Sequence, residues 1–99
     1  KQFAAATSLT SCGIAYVLKY VQAAMQAGVE LGIKPHDAQT MLAQTLERAS
    51  QLLRNNVNAH PGTAIEKVTT PGGITIKGIN SLEHDGFTSA VIHAIKASL

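Results

Sequence analysis

The sequence has no tryptophan, one cysteine, and only two tyrosines and two phenylalanines. Without large rings, a core must be assembled from Ala, Leu, Ile and Val. A single cysteine, Cys12, excludes an intramolecular disulfide, which fits a reducing compartment; a cytoplasmic setting is the expectation. Charged residues are also scarce, at 14%, and the formal net charge is +2 with no basic cluster. That argues against a nucleic-acid-binding face. Long apolar runs are missing as well. Lys19, Gln22, Gln26 and Glu30 interrupt the best candidate before it reaches the ~20 residues of a membrane span, and no signal-peptide pattern is present. Neither nucleic acid nor membrane is therefore an expected partner.

What remains is apolar and ordered. Hydrophobic residues make up 45% and the mean hydropathy is +0.12, the reverse of a disordered composition. A chain of 99 residues makes one domain. It opens on Lys1 rather than Met, as a piece of a longer protein would.

Helical periodicity dominates. The first helix is predicted over Leu9 to Gly32, with Thr7 or Ser8 as its cap and Ile14, Val17, Leu18, Val21, Met25 and Val29 at helical spacing. Such a helix is about 36 Å long, against a radius of gyration near 13 Å for a domain of about 100 residues. Between Gln2 and Val29 its only charged residue is Lys19. One chain of this size can hardly cover it, so a second copy is expected to help bury it. Ala24, Gly28 and Gly32 form a smooth strip along it, which suits close helix approach. A second helix is predicted from Pro35 to about Val57, with Ala38, Met41, Leu42, Leu46, Ala49 and Leu52 as its apolar stripe. His60-Pro61-Gly62 opens a short third helix through Ile65 to Val68. A fourth starts with Ile74-Thr75-Ile76 and ends at Asp85-Gly86, and a fifth runs from Phe87 or Thr88 to near Leu99. The β-branched run at Ile74 is assigned to a helix because no other segment offers it a strand partner. The fold class is thus all-α: a bundle of about five helices, two long and three short.

The sharpest break is Thr69-Thr70-Pro71-Gly72-Gly73. A Gly-Gly pair before a helix lets the backbone curl so that several N–H groups face outward, and a helix N-terminus adds partial positive charge. Such a turn suits a carboxylate or phosphate. Thr70 and Thr75 add hydroxyls. A turn that merely joins two helices would look the same. His36, His60, His84 and His93 share no metal-binding spacing, so no metal is expected. Cys12 has no basic neighbour and reads as a structural thiol. No P-loop, nucleophile elbow or dinucleotide-binding glycine motif is present.

The run Val68-Thr69-Thr70-Pro71-Gly72-Gly73-Ile74-Thr75 resembles the signature V-[ST]-[ST]-P-G-G-x-T of the pyrroline-5-carboxylate reductase family. His60-Pro61, the segment Leu82-Glu83 with Gly86-Phe87, Gly28-Val29-Glu30-Leu31-Gly32, and Ser11-Cys12-Gly13-Ile14-Ala15-Tyr16 match further family segments in order. In the last of these, Ser11 and Ile14 stand where the family has Gly and Pro. The resemblance implies a C-terminal, all-helical dimerisation domain that interlocks with a second copy as a homodimer or within a higher oligomer. It implies an N-terminal dinucleotide-binding domain, absent from this chain, that holds NADPH or NADH. It also implies NAD(P)H-dependent reduction of 1-pyrroline-5-carboxylate to L-proline, the last step of proline biosynthesis, by the full-length protein, with the isolated domain inactive. Under the resemblance, Thr70, Gly72, Gly73, Ile74 and Thr75 form the substrate-binding site, and the N–H groups of Gly73, Ile74 and Thr75 hold the substrate carboxylate. Thr70 lies beside that carboxylate, and the Thr75 hydroxyl bonds the ring nitrogen as the one catalytic side chain. Two other readings share the sequence: a stand-alone helical dimerisation module without ligand, and the C-terminal domain of a related imine or hydroxyacid dehydrogenase.

Overall fold

The computed structural model describes residues 2–55 and 60–99. Helix α1 (Gln2–Thr7) runs through a π-turn (Ser8–Cys12) into α2 (Gly13–Glu30); α3 (Pro35–Asn55), α4 (Pro61–Lys67), α5 (Ile74–His84) and α6 (Phe87–Ala97) follow. The described residues contain no strand. Because α1, the π-turn and α2 form one continuous rod, the architecture is the expected one of two long helices and three short ones.

The start of the first rod differs from expectation. Neither Thr7 nor Ser8 is a cap; the helix continues upstream to Gln2. Thr7 donates its hydroxyl to the Phe3 carbonyl one turn back, at 3.0 Å. The expected end of α3 at Val57 lies outside the described residues.

Helices α2 and α3 pack as an antiparallel hairpin whose turn is fixed locally. Gly32 adopts φ +99°, a left-handed conformation that costs glycine nothing. Its N–H bonds the Val29 carbonyl at 3.0 Å and the next N–H, of Ile33, bonds the Gly28 carbonyl at 2.9 Å. This pair closes α2 as a Schellman motif. Pro35 then opens α3, where its missing N–H is not needed. The small-residue strip acquires a definite meaning here. A Cβ on Gly28 would sit 3.6 Å from the Ala38 Cβ, so this glycine faces α3 of its own chain. Ala38 is buried, at 4% exposure.

The remaining helices pack elsewhere. Helices α5 and α6 form a second corner at Gly86, which adopts φ +83°, and α6 rests on the π-turn. The Thr88 hydroxyl donates to the Glu83 carboxylate across that corner. The whole chain is elongated, 44 × 29 × 27 Å with a radius of gyration of 15.0 Å. It exposes 8046 Å², whereas a self-contained monomer of this mass exposes about 5,400 Å². Ile14, Val17, Leu18, Val91 and Ile92 are among the large apolar side chains left in the open.

Candidate functional site

The segment between α4 and α5 is built by short-range rules. His60 caps α4 by accepting the Gly62 N–H on its Nδ1 at 2.9 Å, so this histidine serves as a cap and not as a base. At the other end Thr69 donates to the Ile65 carbonyl at 2.6 Å. Thr70-Pro71-Gly72-Gly73 then forms a tight turn. The Gly73 N–H bonds the Thr70 carbonyl at 2.9 Å, and Gly72 takes φ +75°. Proline at the second position and a left-handed glycine at the third are what a type II turn requires. Gly73 follows as the extended residue before α5, with φ −81° and ψ −174° and no side-chain cap.

This geometry corrects one expected role. The Gly73 N–H closes the turn and is not free for a ligand. The first turn of a helix leaves its leading N–H groups without intrahelical partners. Here these are Ile74, Thr75 and Ile76, the last of which the sequence reading did not name. Among the described residues no side chain or carbonyl outside the helix accepts from them. The contribution of Gly73 is steric: a Cβ there would lie 3.1 Å from the Thr70 carbonyl oxygen and 3.4 Å from its Cβ. Thr70, Ile74 and Thr75 are all exposed, Ile74 at 83%. Neither the Thr70 nor the Thr75 hydroxyl bonds another described residue, so both remain available. The row of N–H groups, the dipole of α5 and two threonine hydroxyls suit a small anion bearing a polar ring atom.

The second feature is a groove of about 530 Å³. Tyr16, Tyr20 and Ala23 of α2 form one wall, Leu82 stands at the α5–α6 corner, and Phe87 and Val91 of α6 form the other wall. Leu82 and Phe87 flank the corner that Gly86 turns and Glu83 pins. The Leu82-Glu83 and Gly86-Phe87 segment is thus a corner motif that also lines the groove. The segment Ser11 to Gly13 lies in the π-turn and at the start of α2. Among the described residues no group of three or more His, Cys, Asp or Glu gathers. Cys12 is half-buried and free.

Comparison with known proteins identifies the family. The family model described as pyrroline-5-carboxylate reductase dimerisation matches residues 1–99. The chain is 47% identical to pyrroline-5-carboxylate reductase 1 of Dictyostelium discoideum over 98 residues, covering 99% of this chain and 18% of that protein. It is 34% identical to the Treponema pallidum reductase over 97 residues, covering 98% of this chain and 36% of the other. The crystal structure of the Plasmodium falciparum pyrroline carboxylate reductase with NADP bound superposes with a TM-score of 0.91 at 27% identity, over 97% of this chain and 38% of that one. The chain therefore spans well under half the length of these relatives. By its sequence, and by a helical fold shared almost end to end, this chain belongs to the pyrroline-5-carboxylate reductase dimerisation family.

Proposed function

We propose that this chain is the dimerisation and substrate-holding domain of a full-length pyrroline-5-carboxylate reductase, which reduces 1-pyrroline-5-carboxylate to L-proline. The observation that carries this reading is the preformed Thr70–Thr75 turn, with Ile74, Thr75 and Ile76 offering unpartnered N–H groups at the start of α5.

The described residues hold no strand followed by a glycine turn, the geometry that receives a dinucleotide. NADPH or NADH therefore belongs to another part of the full-length protein, a dinucleotide-binding domain, and supplies the hydride that reduces the imine carbon. This chain contributes binding and orientation. The N–H groups of Ile74, Thr75 and Ile76 hold the carboxylate, with Thr70 beside it. The Thr75 hydroxyl, on the first turn of α5, meets the ring nitrogen and orients the proton that nitrogen must carry. Clamping a small ring at both its carboxylate and its nitrogen presents its imine carbon in one direction, which is catalysis by positioning.

A second copy of this chain completes the fold. The excess of exposed surface, roughly 2,600 Å² beyond a self-contained monomer, is of the size that obligate interfaces bury. The α2–α6 groove and the apolar residues around it are its location. The protein acts in the cytoplasm on this reading.

The test is steady-state kinetics on the full-length protein. Thr75→Val keeps the β-branched shape and the N–H while removing the hydroxyl. It is expected to lower kcat/KM with little change in Tm. Unchanged kcat/KM would remove Thr75 from the mechanism, and absence of any pyrroline-5-carboxylate reduction by the unaltered full-length protein would overturn the reading.

A further inference from the structure

Ser8 is the most deeply buried polar residue described, at 1% exposure, and it lies on an otherwise exposed stretch. Its hydroxyl donates to the Ile95 carbonyl at 2.8 Å and contacts the Ser98 hydroxyl at 2.6 Å. Ser98 also approaches Ile95, with its hydroxyl at 2.9 Å and its N–H at 3.3 Å. Ile95 belongs to the last turn of α6, where carbonyls have no partner within the helix. Ser8 thus caps α6 from 87 residues away. It is also the first residue of the π-turn Ser8–Cys12.

A π-turn holds one residue more than the α-helical turn it replaces. If the segment relaxed to α-helix, everything upstream would swing about the α2 axis by roughly one residue's rotation, 100°. Ser8 would leave Ile95 in that movement. Residues Gln2 to Thr7 have no buried side chain that could resist it. The hydrogen bond ties the π-turn to α6 and opposes that movement.

We propose that the Ser8–Ile95–Ser98 latch holds the π-turn, and so sets the angle at which α1, and the chain leading into it, joins the helical domain. Ser8 is a positioning residue for hydride transfer. This rests on the proposed arrangement in which a cofactor-holding domain precedes α1. In that arrangement the latch aims the cofactor at the substrate turn without touching either.

The experiment uses the full-length protein with Ser8→Ala, with Thr10 removed, and with both changes. Removing Thr10, an exposed residue of the π-turn, leaves an α-helical turn whose upstream phase matches the native one. Ser8→Ala is expected to lower kcat by about ten- to a hundredfold with KM for the pyrroline carboxylate held within about twofold, since the turn before α5 is untouched. Amide exchange, read by mass spectrometry, is expected to accelerate over residues 8–12. Removing Thr10 in the Ser8→Ala background is expected to restore both kcat and exchange protection, an outcome that a merely stabilising serine would not give. Unchanged exchange over residues 8–12 in Ser8→Ala, an unchanged kcat, or failure of the deletion to rescue overturns the proposal. If the unaltered protein reduces no pyrroline carboxylate, the functional reading fails, and the exchange arm still decides whether Ser8 holds the turn.

Discussion

The two flanks of α2 have opposite characters. On one side α3 closes against it through a Schellman turn, a glycine facing an alanine, and the buried Ala38. On the other side α6 stands off, and the groove between them leaves Val91 43% and Tyr20 46% exposed. The finished flank is made of neighbours in sequence, joined by a turn of a few residues, so its closure costs little chain entropy. The unfinished flank must be completed by something larger than a side chain. The proposed occupant is a second copy, in keeping with a family described as dimerisation. On that proposal, one face of the nearly uncharged helix serves the chain and the other serves its partner.

The largest expected effect comes from charging the open flank. Val91→Glu places a carboxylate in the groove. In a lone chain it would meet water and do little, but in a dimer it would be buried without a partner, at a cost of several kcal/mol. Light scattering is expected to show loss of the dimer. A dimer of unchanged affinity would move the interface away from this groove.

Next in size is the turn at the start of α5. Thr75→Val in the full-length protein is expected to lower kcat/KM by roughly 10- to 150-fold, the worth of one hydrogen bond near a charged group, about 1.5–3 kcal/mol. Gly72→Ala acts on the same turn through the backbone. Nothing lies within 4 Å of the added Cβ, so the cost is the left-handed conformation alone, about 1–2 kcal/mol. A modest fall in Tm and a rise in KM for the carboxylate substrate are expected, because the turn that aligns the N–H row is strained. A fall in kcat with unchanged KM would contradict a carboxylate site there.

The smallest effect sharpens the closed flank. Gly28→Ala would place its Cβ 3.6 Å from that of Ala38, an ordinary contact. The gain in helix propensity is about 1 kcal/mol, so Tm is expected to rise slightly. A marked loss of stability would show that a second copy also presses on this strip.

Much of the molecule was legible because its signals are local. Gly32 and Pro35 punctuate α2 and α3, and Pro71-Gly72-Gly73 dictates a turn whose hydrogen bond closes over three residues. The helical assignment of Ile74-Thr75-Ile76 followed from the lack of a strand partner. The Gly73 N–H was misassigned because its spacing suits two uses, closing the turn or meeting a ligand, and only the turn type chooses between them. Ile76 was missed for the same reason, since counting free N–H groups requires knowing where the helix begins.

The sequence by itself determined the helical class and the turns at Gly32–Pro35 and Pro71–Gly73, and it raised the expectations of an anion-binding turn and of a second copy over an uncharged helix. Each depends on residue type and spacing within a few positions. The tertiary structure alone decided that Gly28 faces Ala38 of its own chain and that the first rod extends upstream through Gln2. It alone decided that Ser8, which spacing offered as a helix cap, turns inward to a carbonyl 87 residues away. The physical reason is range: a cap or a turn is satisfied by neighbours along the chain, whereas a buried hydroxyl bonds whichever carbonyl the packing of distant helices brings to it.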